Sequence, residues 1–225
     1  MIPHFNDFFK GKNKDLYVFL LENLTAPLWF VRIKSMKKVF FGIGIGIVVA
    51  GLAFFSRPDM LLSSLIQKKL PQTVSLHTNL GDIKIKLFYD EAPHVAENFY
   101  RIAKGEKYDG TIFHRIIKGF VLQGGDYENS DGTGGEAFEG GFLPDEISET
   151  LSHVRGAVSM ANRGPGTNGS QFFIVHKDAQ FLDGRHTIFG QVISNMSVID
   201  RLARIHTDLT DRPIEPVVIE SVSFE

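Results

Sequence analysis

The stretch FHRIIKGFVLQGGD, residues 113–126, sets His114 and Arg115 side by side and follows them with Phe120, Gln123 and a paired-glycine turn. Polar, cationic and aromatic side chains are gathered here without an evident nucleophile. The chain has no cysteine, and none of its serines sits in a GxSxG elbow. Its 8 histidines are scattered, with no HExxH or other paired-ligand spacing, so no metal site is expected. Taken singly, the residues read blandly: Arg115 as a surface charge, His114 as a satisfied or exposed imidazole, Gln123 and Gln171 as polar strand positions. Phenylalanines in strands are core residues in most cases, and this chain has 20. Any function must come from their combination.

The elements that would position them are mainly strands. In TVSLHTNLGDIKIKLFYD a turn at Asn79 to Asp82 separates two runs, and Ile83, Ile85 and Leu87 alternate with Lys84 and Lys86 as in a half-buried hairpin strand. APHVAENFYRIAKG reads as a helix, with Pro93 at its start, Val95, Phe99 and Ile102 at helical spacing, and Gly105 as its stop. Further strands are expected at Thr111 to Ile117, Phe120 to Gln123, Gly156 to Met160, Gln171 to Val175, Thr187 to Gln191 and Val217 to Phe224, with a second helix at Ser197 to Ile205. Many short strands with glycine-rich turns and few helices suggest a closed barrel or a sandwich.

Four blocks, FHRIIKGFVLQGGD, GTGGE, MANRGPGTNGSQFFI and FLDGRHTIFGQV, resemble in order and spacing the signature blocks of the cyclophilin family of peptidyl-prolyl isomerases. The resemblance runs from about Thr73 to Glu225. It implies a mainly β fold, an eight-stranded antiparallel closed barrel capped by two helices, and catalysis of rotation about X-Pro bonds without a cofactor.

Such rotation breaks no covalent bond. Its obstacle is amide resonance, a barrier of about 18–20 kcal/mol. As the bond twists, a lone pair localises on the proline nitrogen, and a guanidinium with its rigid fork of donors can stabilise it. The resemblance assigns that catalytic role to Arg115. It assigns an apolar proline pocket to Phe120, Phe173 and Leu182, with Val121 beside it and Ile117 and Phe181 at its edges. Gln123 and Gln171 would bond the substrate or orient the arginine, Ala161 and Asn162 would hold the extended substrate backbone, and His114 and His186 would stand at a polar rim. Neither histidine is read as an acid or base, since no proton is transferred. The sequence departs from the common family pattern at Phe181, often tryptophan, at Lys118 and Val121, and at Arg163, which replaces a small residue at the edge of the site. The alternative on the same groove is a proline-peptide binding module or holdase without turnover.

Charge divides the chain of 225 residues. Residues 1–72 hold 10 Lys/Arg against 4 Asp/Glu, and residues 73–225 hold 14 against 22. The acidic body argues against a nucleic-acid partner, which needs a basic surface. The basic part surrounds an uncharged run from Val39 to Phe55, preceded by Arg32, Lys34, Lys37 and Lys38. As a helix the run would be roughly 26 Å long, at the short end of a membrane span, and the charge bias places the body outside the cytoplasm. Met36-Lys37-Lys38 also resembles the start of a bacterial secretory signal, with cleavage after Ala53, although the run exceeds a usual signal core and favours an uncleaved anchor. The expected organisation is an N-terminal segment 1–38, a membrane anchor or signal 39–55, a linker 56–72 and an isomerase domain 73–225. That domain is read as monomeric and acting on proline-containing polypeptides, periplasmic or at the cell surface, or secreted if the signal is cleaved.

Overall fold

Alternation between buried and exposed positions builds the first hairpin. In β1 (Thr73–Thr78) and β2 (Gly81–Leu87), Val74 and Leu76 pair with Ile85 and Ile83, and all four are fully buried. The computed structural model describes residues 70–194 and 196–225. The segment 1–38, the anchor or signal 39–55 and nearly all of the linker lie outside the described residues. Among the described residues no helix is long and apolar enough to cross a membrane.

Helix α1 (Pro93–Lys104) follows, with proline in its first turn and a buried face of Val95, Ala96, Asn98, Phe99, Ile102 and Ala103. Its own N-cap residue, Ala92, supplies no side-chain acceptor. The cap comes from far along the chain: the Glu146 carboxylate accepts from the backbone N–H of His94 at 3.2 Å and of Val95 at 2.9 Å. The Phe99 ring lies 5.0–5.3 Å from those of Tyr108, Phe172 and Phe189, which nails the helix to the sheet. Each such fully buried ring contributes about 1.5–3 kcal/mol.

The remaining elements are β3 (Arg115–Ile116), β4 (Val121–Gly124), β5 (Ala157–Met160), β6 (Phe172–Val175), a 3-10 turn at Gln180–Leu182, β7 (Ile188–Val192), α2 (Ser197–Leu202) and β8 (Ile219–Phe224). One eight-stranded sheet results, in the order β3-β4-β6-β5-β7-β2-β1-β8, with every pair antiparallel. The closed barrel expected from the sequence is corrected here to a curled sheet. Its end strands, β3 and β8, share no ladder; the chain beside them meets at one isolated bridge, Ile112 to Val218, flanked by Phe113 N–H to Val217 O at 3.0 Å. The strand expected over Thr111 to Ile117 shrinks to two residues: Thr111 donates its hydroxyl to Tyr108 O at 2.6 Å, and Ile112 forms only the isolated bridge to Val218.

Alternation along the central strands separates two cores. Phe172 and Ile174 of β6 join the large core with Phe99, while Phe173 and Val175 face the other way and pack with Val121, Ala157, Ala179 and Ile188. The second, smaller cluster underlies the site.

Candidate active site

Strand register assembles the site. Arg115 on β3 pairs with Gln123 on β4, Gln123 with Phe173 on β6, and Phe173 with Ser159 on β5. Directly paired residues project to the same side of a sheet, so a cation, an amide and an aromatic ring stand in one row across three strands. Arg115 keeps 42% of its side chain exposed, whereas Phe173 is buried to 5%. The row thus runs from a wet, charged end to a dry one.

Next to it lies a polar wall. Gln123 Nε2 donates to Gln171 Oε1 at 3.0 Å, and Gln171 Nε2 donates to the carbonyls of Gly132 and Gly134 at 3.0 and 2.7 Å. Both amide orientations follow from this chain of bonds. The glycines belong to a loop organised by Asp126, whose carboxylate accepts five backbone N–H groups, from Glu128, Asn129, Asp131, Gly132 and Gly134. Burial pushes the Asp126 carboxyl up, but these donors outweigh it and hold the group below its ordinary value. Gly169 is forced by closeness, since a Cβ there would lie 2.0 Å from the Gly135 carbonyl oxygen. Along the other side Ala161 N–H donates to Gln171 O at 3.0 Å and Asn162 Nδ2 to Arg185 O at 2.9 Å, which holds the 161–162 backbone at the edge of the groove.

The apolar part is built from the smaller core. Phe120, Leu182 and Ala161 pack on this cluster, which includes Val121 and Phe173. Phe181, 66% exposed, stacks its ring 5.6 Å from that of Phe120, and His186 meets Phe173 edge-on at 5.4 Å with its Nδ1 at 3.0 Å from Met160 O. Ile117 and Phe120 close the turn that leads into β4, through Phe120 N–H to Ile117 O and Ile117 N–H to Val121 O. Arg115, Gln123 and Phe173 thus share a row across the strands, Phe120, Ala161 and Leu182 pack on the small core that holds Val121 and Phe173, and Gln123, Ala161, Asn162 and Gln171 line one cavity. Ile117 and Phe181 join this group through Phe120, and His186 through Phe173.

His114 does not stand at a rim. It is 94% buried, neither ring nitrogen has a hydrogen-bond partner among the described residues, and Gly132 packs so closely that a Cβ there would lie 3.0 Å from the ring. Preceding Arg115 in the chain, it falls on the opposite side of the strand. Burial pulls its imidazole below the ordinary value, with Asp126 opposing.

Two features escaped the sequence reading. Asp211, on the loop before β8, places Oδ2 3.7 Å from Arg115 Nε, and its carbonyl accepts the Ile116 N–H at 2.8 Å. Behind Phe173, His153 stacks 5.8 Å from the ring, with Nδ1 2.6 Å from Asp183 Oδ1 and Nε2 3.0 Å from Ser159 Oγ. Carboxylate, imidazole and hydroxyl are connected as in a hydrolase triad, yet Ser159 is fully buried and its hydroxyl also reaches Thr187 O at 2.9 Å. No acyl group can approach it, so the array is scaffolding. No motif spacing signals either feature. Among the described residues no His/Asp/Glu cluster could hold a metal ion.

The family model of cyclophilin-type peptidyl-prolyl cis-trans isomerases matches residues 73–224. The peptidyl-prolyl cis-trans isomerase ppi1 of Schizosaccharomyces pombe is 51% identical over 153 residues, covering 67% of this chain and 98% of its own. CYP18-1 of Arabidopsis thaliana is 49% identical over 153 residues, covering 68% and 95%. A crystal structure of a cyclophilin-type isomerase of Cryptosporidium parvum superposes with a TM-score of 0.67 at 38% identity, covering 69% of this chain and 98% of that one. These relatives are eukaryotic, so the bacterial source suggested by the Met36 pattern has no counterpart among them. With the family model matching residues 73–224 and relatives of about half identity matched over nearly their whole length, this chain belongs to the cyclophilin family and is a peptidyl-prolyl cis-trans isomerase.

Proposed function

We propose that Arg115 is the catalytic residue and that the proline ring enters the slot of Phe120, Phe173 and Leu182. The observation that carries this reading is the row Arg115, Gln123, Phe173, which sets a donor fork beside an apolar slot. With the ring held, one side of the amide is fixed while the other turns. The dry slot removes water that would favour the polar, planar amide, and the guanidinium donates to the proline nitrogen as its lone pair localises. Gln123 bonds the substrate, Gln171 fixes Gln123, and the 161–162 backbone holds the extended peptide. No proton moves, so no acid or base is needed. The Cryptosporidium parvum relative has also been crystallised in the presence of the dipeptide Ala-Pro, which supports proline-containing peptides as the ligand class here.

The test is NMR exchange spectroscopy on a short Ala-Pro peptide with the full chain and its Arg115→Ala variant. Removing a preorganised donor should lower kcat/KM by about a hundredfold or more while peptide-induced shifts persist. Exchange undiminished in the folded variant would remove Arg115 from the mechanism; a parent that binds without speeding exchange would favour the binding-module reading of the groove.

The proposal extends to the rest of the chain. The domain 73–225 works as a monomer, and residues 39–55 anchor it with the active site outside the cytoplasm, acting on exported proteins. The uncharged run with four basic residues before it supports the anchor.

A further inference from the structure

We propose that Arg163 makes a second cavity beside the proline slot selective for an acidic side chain two residues away from the substrate's proline. The inference rests on the reading of the groove given above and names the class of segment it prefers. The cavity, about 90 Å³, shares Gln123, Ala161, Asn162 and Gln171 with the proline site and is completed by the glycine backbone at 132, 134, 135 and 169. An extended peptide presents alternate side chains to the same side, so the residue two before or two after proline points as the proline ring does. That residue reaches the neighbouring cavity.

Among the described residues, Arg163 is the one charged side chain lining this cavity. Its Nη2 donates across to the Thr133 carbonyl, while its backbone N–H is held by Thr167 Oγ1 at 2.8 Å. The tether fixes the guanidinium at the mouth and uses one of its five N–H groups. Among the described residues Arg163 forms no ion pair with a carboxylate. The acidic residues of the two flanking loops are committed elsewhere. Asp126 and Glu128 accept backbone N–H groups of the 128–135 loop, Asp131 accepts from Thr133, and Asp145 accepts from Gly166 and Asn168. A substrate carboxylate would be the counter-ion that this mouth lacks, and a lysine there would meet a fixed like charge.

The experiment uses the full chain and peptides carrying Glu, Ala or Lys two residues before proline, and a second set varied two residues after it. Exchange rates give kcat/KM, and amide-shift titrations give affinities. The expected result is a Glu-over-Lys preference of about two- to fivefold at one of the two positions, the size of a solvent-exposed ion pair, shrinking as salt is raised. Arg163→Gln should abolish the preference, Arg163→Lys should keep part of it, and Arg163→Glu should invert it. Equal values for Glu and Lys at both positions, or a Glu preference that survives in Arg163→Gln, would overturn the proposal. Loss of exchange for every peptide with the charge preference intact in the titrations would instead strike the catalytic reading and leave this one standing.

Discussion

At the scale of single residues, the position of Arg115 is set by what surrounds it. Its strand is two residues long, so the ladder alone holds it weakly. Asp211 supplies the rest, accepting the Ile116 N–H with its carbonyl and facing Arg115 Nε with its carboxylate. On the proposal that Arg115 is catalytic, Asp211 acts as its positioning residue, with φ of +64° that aspartate tolerates better than most residues. Asp211→Asn should leave the backbone bond in place and free the guanidinium. The expected consequence is a fall in kcat of about two- to fivefold with KM for an Ala-Pro peptide little changed, the worth of an exposed ion pair. Steady-state kinetics would decide it: a rise in KM at constant kcat would mean that Asp211 touches substrate instead of steering Arg115.

At the scale of elements, the floor of the proline slot depends on three segments meeting behind it. His153 from the loop before β5, Ser159 from β5 and Asp183 from the end of the 3-10 turn are bonded to one another, and the His153 ring backs Phe173. Burial is the largest influence on this imidazole and pulls it below the ordinary 6.5, against Asp183, which pulls it up. The buried His114 shifts the same way. In the unfolded chain both histidines take up a proton first as the pH falls. Their contribution to stability is therefore complete above about pH 6.5 and is lost progressively below it, toward the lowered folded-state values. Denaturant unfolding across this range should show stability declining with acid, and His153→Gln, which does not titrate, should flatten the decline. A slope identical in parent and variant would place the titration elsewhere.

At the scale of the whole molecule, charge and hydropathy divide the chain into a basic, apolar beginning and an acidic catalytic body. The anchor proposal makes a prediction about topology. Protease added to intact cells should digest the domain after residue 72 if it lies outside, while the same domain inside the cytoplasm would be protected until lysis. Protection would reverse the orientation inferred from the charge bias. The enzymatic assignment would stand in either case, because it rests on the family match over residues 73–224.

What the sequence determined by itself is the inventory and most of the local structure. Period-two alternation found β2, helical spacing with Pro93 and Gly105 found α1, and the order of four blocks identified the family. These signals are local, carried by neighbours in the chain or by blocks kept in order. Tertiary structure decided whatever depends on partners distant in sequence. The Glu146 cap lies 51 residues from Val95, Asp211 arrives beside Arg115 from the loop before the last strand, and Arg163 is tied to Thr133, 30 residues away. The burial of His114 and the single bridge between the sheet's ends belong to the same class. Periodicity says which side a residue faces, but only the closing of the sheet says what stands opposite, and that opposing group sets a residue's charge, exposure and role.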